Sequence, residues 1–182
     1  MDDAAVVDVG DACMLESLIR EREQSIGRPH FAEQYIDGRE FNLSVVNGKV
    51  LPAAEIDFVD FPPEKPRIVG HRAKWEPESF EYIRTPRRFD FPASDKSLLQ
   101  KLARLSRRSW NLFELEGYAR VDFRVDKNGL PWILEINSNP CLSPDAGFAA
   151  ALENANIPFA TAIEQIINAA IKLDRFALSP RR

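Results

Sequence analysis

The sequence predicts an α+β fold, with helices packed on one side of mostly antiparallel strands, and three observations point there. Asn47-Gly48 stands between the strand-like runs Glu40–Val46 and Lys49–Leu51, the pattern of a two-residue hairpin. A second pair of runs, Arg120–Val125 and Leu130–Asn137, is joined by the turn residues Asp126-Lys127-Asn128-Gly129. Stretches with apolar residues at helical spacing precede, separate and follow these strands. A length of 182 residues suits one domain, or one domain with a small lobe attached. With 45% hydrophobic and 29% charged residues, the chain carries enough apolar material for a sizeable core.

Taken in order, Ala12–Glu23 carries Met14, Leu15, Leu18 and Ile19 at helical spacing, and Gly27 and Pro29 close that helix. Phe31–Ile36 then leads through Asp37-Gly38 into the first hairpin, so this part reads as an antiparallel sheet with a helix packed on it. From Phe61 to Pro92 prolines interrupt the chain repeatedly, and a stretch of this kind is either a plain surface connection or a functional, mobile one. Ser94 or Asp95 can cap a long helix running to about Glu116, where Gly117 stops it. Leu98, Leu102, Leu105, Trp110, Leu112 and Phe113 supply its buried stripe. After the second strand pair come a polar loop from Ser138 to about Asp145 and a final helix over about Phe159 to Leu173. That helix is apolar at Ile163, Ile166, Ile167 and Ile171. Residues 1–176 are expected to form the domain and 177–182 a disordered tail.

Composition narrows the function. A net charge of -4 leaves no basic footprint, so nucleic acid is not an expected partner. Two arginine clusters, Arg84/Arg87/Arg88 and Arg104/Arg107/Arg108, mark either a solvated face or a nearby anionic ligand. Cys13 and Cys141 form neither a disulfide framework nor a metal-ligand cluster, which fits a reducing compartment. No apolar run is long enough to cross a bilayer, and the N-terminus is acidic where a signal peptide would be basic. A soluble cytoplasmic protein is expected, with no membrane partner.

The second hairpin holds the most chemistry. With a four-residue turn closing Val125 opposite Leu130, Asp122 lies opposite Ile133 and Arg120 opposite Glu135. Alternation along each strand then projects Arg120, Asp122, Glu135 and Asn137 to one side, with Asp122 and Glu135 as diagonal neighbours about 7 Å apart. Two carboxylates and an amide oxygen at that spacing suit a hard cation such as magnesium, whose other ligands usually include phosphate oxygens. The alternative is a polar sheet face on which Asp122 and Glu135 pair with Arg120 and Arg124. A bulge would change the parity on which this placement depends.

Arg120-Val-Asp122-Phe, a turn, and Leu134-Glu135-Ile-Asn137-Ser-Asn-Pro140 resemble the closing motif of ATP-grasp ligases, most closely the D-alanine–D-alanine ligases. The resemblance implies that Asp122, Glu135 and Asn137 hold two magnesium ions on the phosphates of ATP, with Glu135 bridging both, and that Arg120 supports the transferred phosphate. Upstream, Glu33-Gln34-Tyr35-Ile36-Asp37-Gly38-Arg39-Glu40-Phe41 is similar to the adenine and ribose segment of that family. It implies that Glu33 faces the adenine amino group, that the backbone at Tyr35 and Ile36 contacts the adenine, and that Glu40 takes the ribose hydroxyls. Lys74 matches a lysine that reaches the terminal phosphate. The implied fold is the C-terminal portion of an ATP-grasp domain, with the N-terminal lobe and substrate domain missing. The implied activity is an ATP- and magnesium-dependent carboxylate–amine ligase using an acyl phosphate, its site completed by an upstream lobe or a partner chain.

Two positions depart from that pattern. Cys141 stands where the family has a glycine whose N–H helps hold the oxyanion. Ala146, which cannot donate a side-chain hydrogen bond, stands where the family has a serine for the carboxylate of the second D-alanine. The expected substrate is therefore only a small amino-acid-like or carboxylate compound. A degenerate, non-catalytic remnant that binds nucleotide or another protein is the alternative. A metal-dependent nuclease hairpin is disfavoured, because Asn137 stands at its lysine position.

Overall fold

The computed structural model describes residues 6–177, with side chains through Ile171. Five strands run in the order β4-β3-β1-β5-β6, with β2 appended to β1, and every pairing is antiparallel. They are β1 (Gly38–Val46), β2 (Lys49–Val50), β3 (Ala54–Ile56), β4 (Arg87–Arg88), β5 (Tyr118–Asp126) and β6 (Pro131–Asn137). Asn47 and Gly48 both take positive φ, as a tight two-residue turn requires, and Val46 pairs with Lys49 across it.

Alternation gives the sheet two unlike faces. Phe41 and Leu43 of β1 join Val121, Phe123 and Val125 of β5 on one face. There they meet Leu102 of the helix α4 (Lys96–Leu112; α2 and α3 are given below) to form the main core. Trp110 of α4 extends that core over Val45 and Ala119. The other face is polar over Glu40, Asn42, Ser44, Arg120, Asp122 and Arg124. Only at its end, at Val46 and Tyr118, is it covered by α5 (Gly147–Asn154) and α6 (Phe159–Ala177), through Phe148, Ala151, Leu152 and Ala162. Helices therefore pack on both sides. α5, which sequence patterning does not single out, lies on the polar side together with α6.

Other expectations are also adjusted. The first helix forms as α1 (Ala12–Ile26), ended by Gly27 in the left-handed conformation, but it buries none of its residues. Its stripe is only four apolar residues among charged ones, and its local support is the Asp11 cap on the Met14 N–H at 2.8 Å. Phe31–Ile36 forms neither helix nor strand and does not pair into the sheet. α4 ends four residues short of Glu116, and Leu112 and Phe113 face solvent, because Glu114 turns the chain at positive φ before Gly117. Asp95 precedes α4 but places no side-chain cap on it; its carboxylate accepts from Arg39 at 2.7 Å instead. In α6, Ile163 and Ile166 are half-buried while Ile167 and Ile171 are exposed. Ala177 is the last residue of α6, and the rest of the expected tail, 178–182, lies outside the described residues. The 61–92 stretch contains only α2 (His71–Trp75), α3 (Phe80–Ile83) and β4.

A candidate nucleotide and metal face on the sheet

The β5–β6 register decides the site. Val125 pairs with Pro131, Arg124 with Trp132 and Phe123 with Ile133; beyond a bulge at Leu134, Asp122 pairs with Glu135 and Arg120 with Asn137. Both steps differ from the expected register. The turn is one residue longer than a closure of Val125 on Leu130 would give, and the bulge adds one more. Two single-residue slips cancel in parity, so Arg120, Asp122, Glu135 and Asn137 still share a face. Asp122 and Glu135 are directly opposed across the strands, not diagonal.

The turn that sets the first slip is held by Asp126. One carboxylate oxygen accepts from the Asn128 and Leu130 N–H groups, each at 2.9 Å, and the other from the Trp132 indole at 3.2 Å. Gly129 takes φ 75° to close it.

Arg120 grips both oxygens of the buried Asp122 at 2.7 Å each, and its Nη2 lies 3.7 Å from Glu135. Desolvation opposes the Arg120 charge, but the Asp122 hydrogen bonds and the surrounding carboxylates outweigh it and raise its pKa. Glu135 itself is 55% exposed in its side chain. Asn137 Oδ1 accepts from the Asn139 N–H at 2.9 Å, folding the following loop back over the strand end, and Tyr118 donates to Asn139 Oδ1 at 2.5 Å.

Farther along the same face, Glu40 is buried and its pKa is pushed up to about 7, by desolvation first. Arg124, 3.0 Å from Glu40, pulls the other way, as do the charges of Lys74 and Arg120, while Asp122 adds to the rise. Lys74 sits exposed on α2, close enough for its charge to act on Glu40. Tyr35 and Ile36 lie on the segment leading into β1; the Tyr35 hydroxyl accepts from the Arg67 N–H at 3.2 Å, and Glu33 is exposed on the same segment. Sequence reasoning thus brought together Glu40, Lys74, Arg120, Asp122, Glu135 and Asn137. It overlooked the part Arg124 plays, although Arg124 follows Asp122 by two residues and alternation alone puts it on this face.

Hollows of about 620 Å³ beside Arg39 and Asp95 and about 560 Å³ between Trp110 and α6 include none of Glu33, Glu40, Lys74 or Asp122. The face is covered over Glu40 and Arg124 and exposed at Glu135. Among the described residues there is also no group of three or more histidine, cysteine or acidic side chains able to hold a metal by themselves. Two carboxylates and an amide oxygen nonetheless suit magnesium arriving with phosphate oxygens, since that ion keeps water or substrate ligands and takes few from protein.

The arginine clusters resolve toward structure: Arg84 pairs with Asp60 and Arg88 with Glu55, Arg87 donates to the Asp145 carbonyl, and Arg104, Arg107 and Arg108 are exposed. Cys13 and Cys141 are both free and exposed. Cys141 lies 2.7 Å from the Ser143 hydroxyl, which lowers its pKa. His30 is bonded to the Arg28 carbonyl, and His71 lies beside Glu76. Among the described residues no helix is long and apolar enough to cross a membrane.

Comparison with known proteins identifies the family. Residues 8–168 match the family described as D-ala D-ala ligase C-terminus. The D-alanine–D-alanine ligase of Synechococcus sp. (strain JA-3-3Ab) is 30% identical over 149 residues, covering 81% of this chain and 42% of that protein. The D-alanine–D-alanine ligase of Gloeobacter violaceus is 31% identical over 136 residues, covering 75% of this chain and 41% of its own length. The crystal structure of the Bacillus anthracis D-alanine–D-alanine ligase complexed with ATP shares the fold, with a TM-score of 0.66 at 21% identity over 89% of this chain and 48% of that one. The chain spans less than half the length of these relatives.

Proposed function

Because the chain belongs to the D-alanine–D-alanine ligase C-terminal family, we propose that its polar sheet face is the nucleotide- and magnesium-binding side of a carboxylate–amine ligase. Its substrates would be ATP and a small amino-acid-like or carboxylate compound. The observation that carries this reading is the convergence of Arg120, Asp122, Glu135 and Asn137 on one face, preserved through two compensating register slips.

Asp122, Glu135 and Asn137 would hold up to two magnesium ions, which supply charge neutralisation on the phosphates. Arg120, held in place by Asp122, offers guanidinium donors to the transferred phosphoryl group, and Lys74 approaches it from α2. Glu40 accepts from ribose hydroxyls, Tyr35 and Ile36 border the adenine, and Glu33 meets its amino group. In the reaction a substrate carboxylate oxygen takes the terminal phosphoryl group and ADP leaves; an amine then attacks the acyl carbon and phosphate leaves. No side chain of this chain forms a covalent bond. Phosphoryl transfer needs the terminal phosphate held on several sides. These residues supply one side, so turnover is expected only with the opposite side present, from a further lobe or partner chain. A cytoplasmic setting suits two exposed free thiols and an ATP-dependent reaction.

Backbone amide NMR titration with Mg-ATP tests the reading even at weak affinity. Shifts should concentrate at Glu33–Glu40, Lys74 and Asp122, with the Glu135 and Asn137 changes lost when magnesium is chelated. In a completed enzyme E135Q should abolish turnover. Shifts confined to residues outside this face, or unchanged turnover in E135Q, would defeat the assignment.

A further inference from the structure

Arg124 is buried in an unusual way. Its side chain is 4% exposed, yet it lies on the polar face, away from the core beneath α4. A buried guanidinium is costly unless its donors are met, and here three acceptors on two separate segments meet them. It pairs with Glu40 Oε2 at 3.0 Å and donates to the Gly38 carbonyl at 3.0 Å, both on β1. Its second terminal nitrogen donates to the Arg67 carbonyl in the loop between β3 and α2. The Tyr35 and Phe58 rings flank it, with centroids 5.9 and 5.4 Å from its carbon. The same Arg67 peptide is held from its other side, its N–H donating to the Tyr35 hydroxyl.

We propose that Arg124 is a positioning residue for nucleotide binding. One guanidinium fixes the Glu40 carboxylate and latches the 57–70 loop, hence α2 and Lys74, onto the sheet. The inference rests on the proposed nucleotide-binding role of this face and adds a residue to it. Arg124 meets Glu40 at Oε2, and a carboxylate carries a second oxygen with which to accept from a ligand. Lys74 follows Arg67 by seven residues, so the Arg67 anchor limits where α2 can sit over the face. A methionine would fill the same space between Tyr35 and Phe58, but it would hold neither carboxylate nor carbonyl.

Hydrogen exchange and Mg-ATP titration on the full chain, in wild type, R124M and R124K, separate the elements of this inference. In R124M, amides of residues 57–75 should exchange at least about tenfold faster while those of α4 keep their protection, because a tether and not the core is lost. Mg-ATP affinity should fall by about tenfold or more as Glu40 and Lys74 lose their setting. Lysine keeps a charge beside Glu40 but has no planar fork. R124K should therefore recover part of the affinity while the loop stays fast, a split that general destabilisation would not produce. R124K also supplies the folded comparison if R124M does not fold. Unchanged loop exchange in both variants overturns the latch. Faster loop exchange with no Mg-ATP response in the wild type would support the latch and refute the nucleotide reading of the face.

Discussion

β5 and β6 lie side by side and each contributes two residues to the candidate site, but their surroundings are opposite. β5 is flanked by β1 and β6, and five consecutive residues, Val121 to Val125, are buried. β6 is the sheet edge, and Trp132, Ile133 and Leu134 are 41–47% exposed. Asp122 is thus set in a fixed frame, under a two-pronged arginine, while Glu135 projects from a strand with one unpaired side. The pair combines a rigid half, which fixes position, with an accessible half, which can meet a ligand. Apolar residues on both strands look alike in sequence, yet only those on β5 contribute a full burial term to stability.

The strongest way to break this contrast is to truncate equivalent positions. F123A should lower unfolding free energy by about 3–5 kcal/mol in urea denaturation, as a cavity in the core does, and I133A, its partner in the ladder, by less than about 1 kcal/mol. Equal losses would show that β6 is covered in solution.

The buried side should also make stability depend on pH. Glu40 has a folded-state pKa of about 7 against an ordinary value of 4.5. The folded chain therefore binds more protons than the unfolded chain between those values, and stability from this group falls as pH rises from about 4.5 to 7, by at most about 1.4 kcal/mol per pH unit. E40Q should flatten that slope in denaturation midpoints measured across the interval. A slope unchanged by E40Q would mean that Arg124 keeps the carboxylate ionised throughout.

A smaller difference separates the two carboxylates. D122N strips the bidentate acceptor from Arg120 and should cost about 1–3 kcal/mol, whereas E135Q, at an exposed edge position, should stay within about 0.5 kcal/mol of wild type. Calorimetric melting of both variants checks this. A large loss in E135Q would mean that its 3.7 Å approach to Arg120 is a structural pair after all.

Much of this was legible in the residues because alternation is a strict period. Asn47-Gly48 and Asp126–Gly129 announced both hairpins, and the shared face of Arg120, Asp122, Glu135 and Asn137 survived an incorrect register. The bulge at Leu134 was not legible, since nothing in an apolar run marks which residue drops out of the ladder. α5 escaped because it has only eight residues, three of them a run of alanine, and gives little periodic signal. The idle stripe of α1 and the exposed Leu112 and Phe113 show that apolar spacing says which side chains could be buried, not what lies opposite them. The role of Arg124 depends on a carbonyl 57 residues away, a contact that local patterning does not reveal.

Cancelling slips between β5 and β6 also turn two separate features into one inherited quantity. A one-residue slide of β6 against β5 at the 127–129 turn would move Glu135 and Asn137 to the α4 side; straightening the bulge with Leu134 kept in the ladder would do the same. Both changes together restore the face. Among relatives that keep the site, register at the turn and the bulge should therefore change as a pair, and a structure showing one change alone would identify a hairpin that has given up the chemistry while keeping the fold.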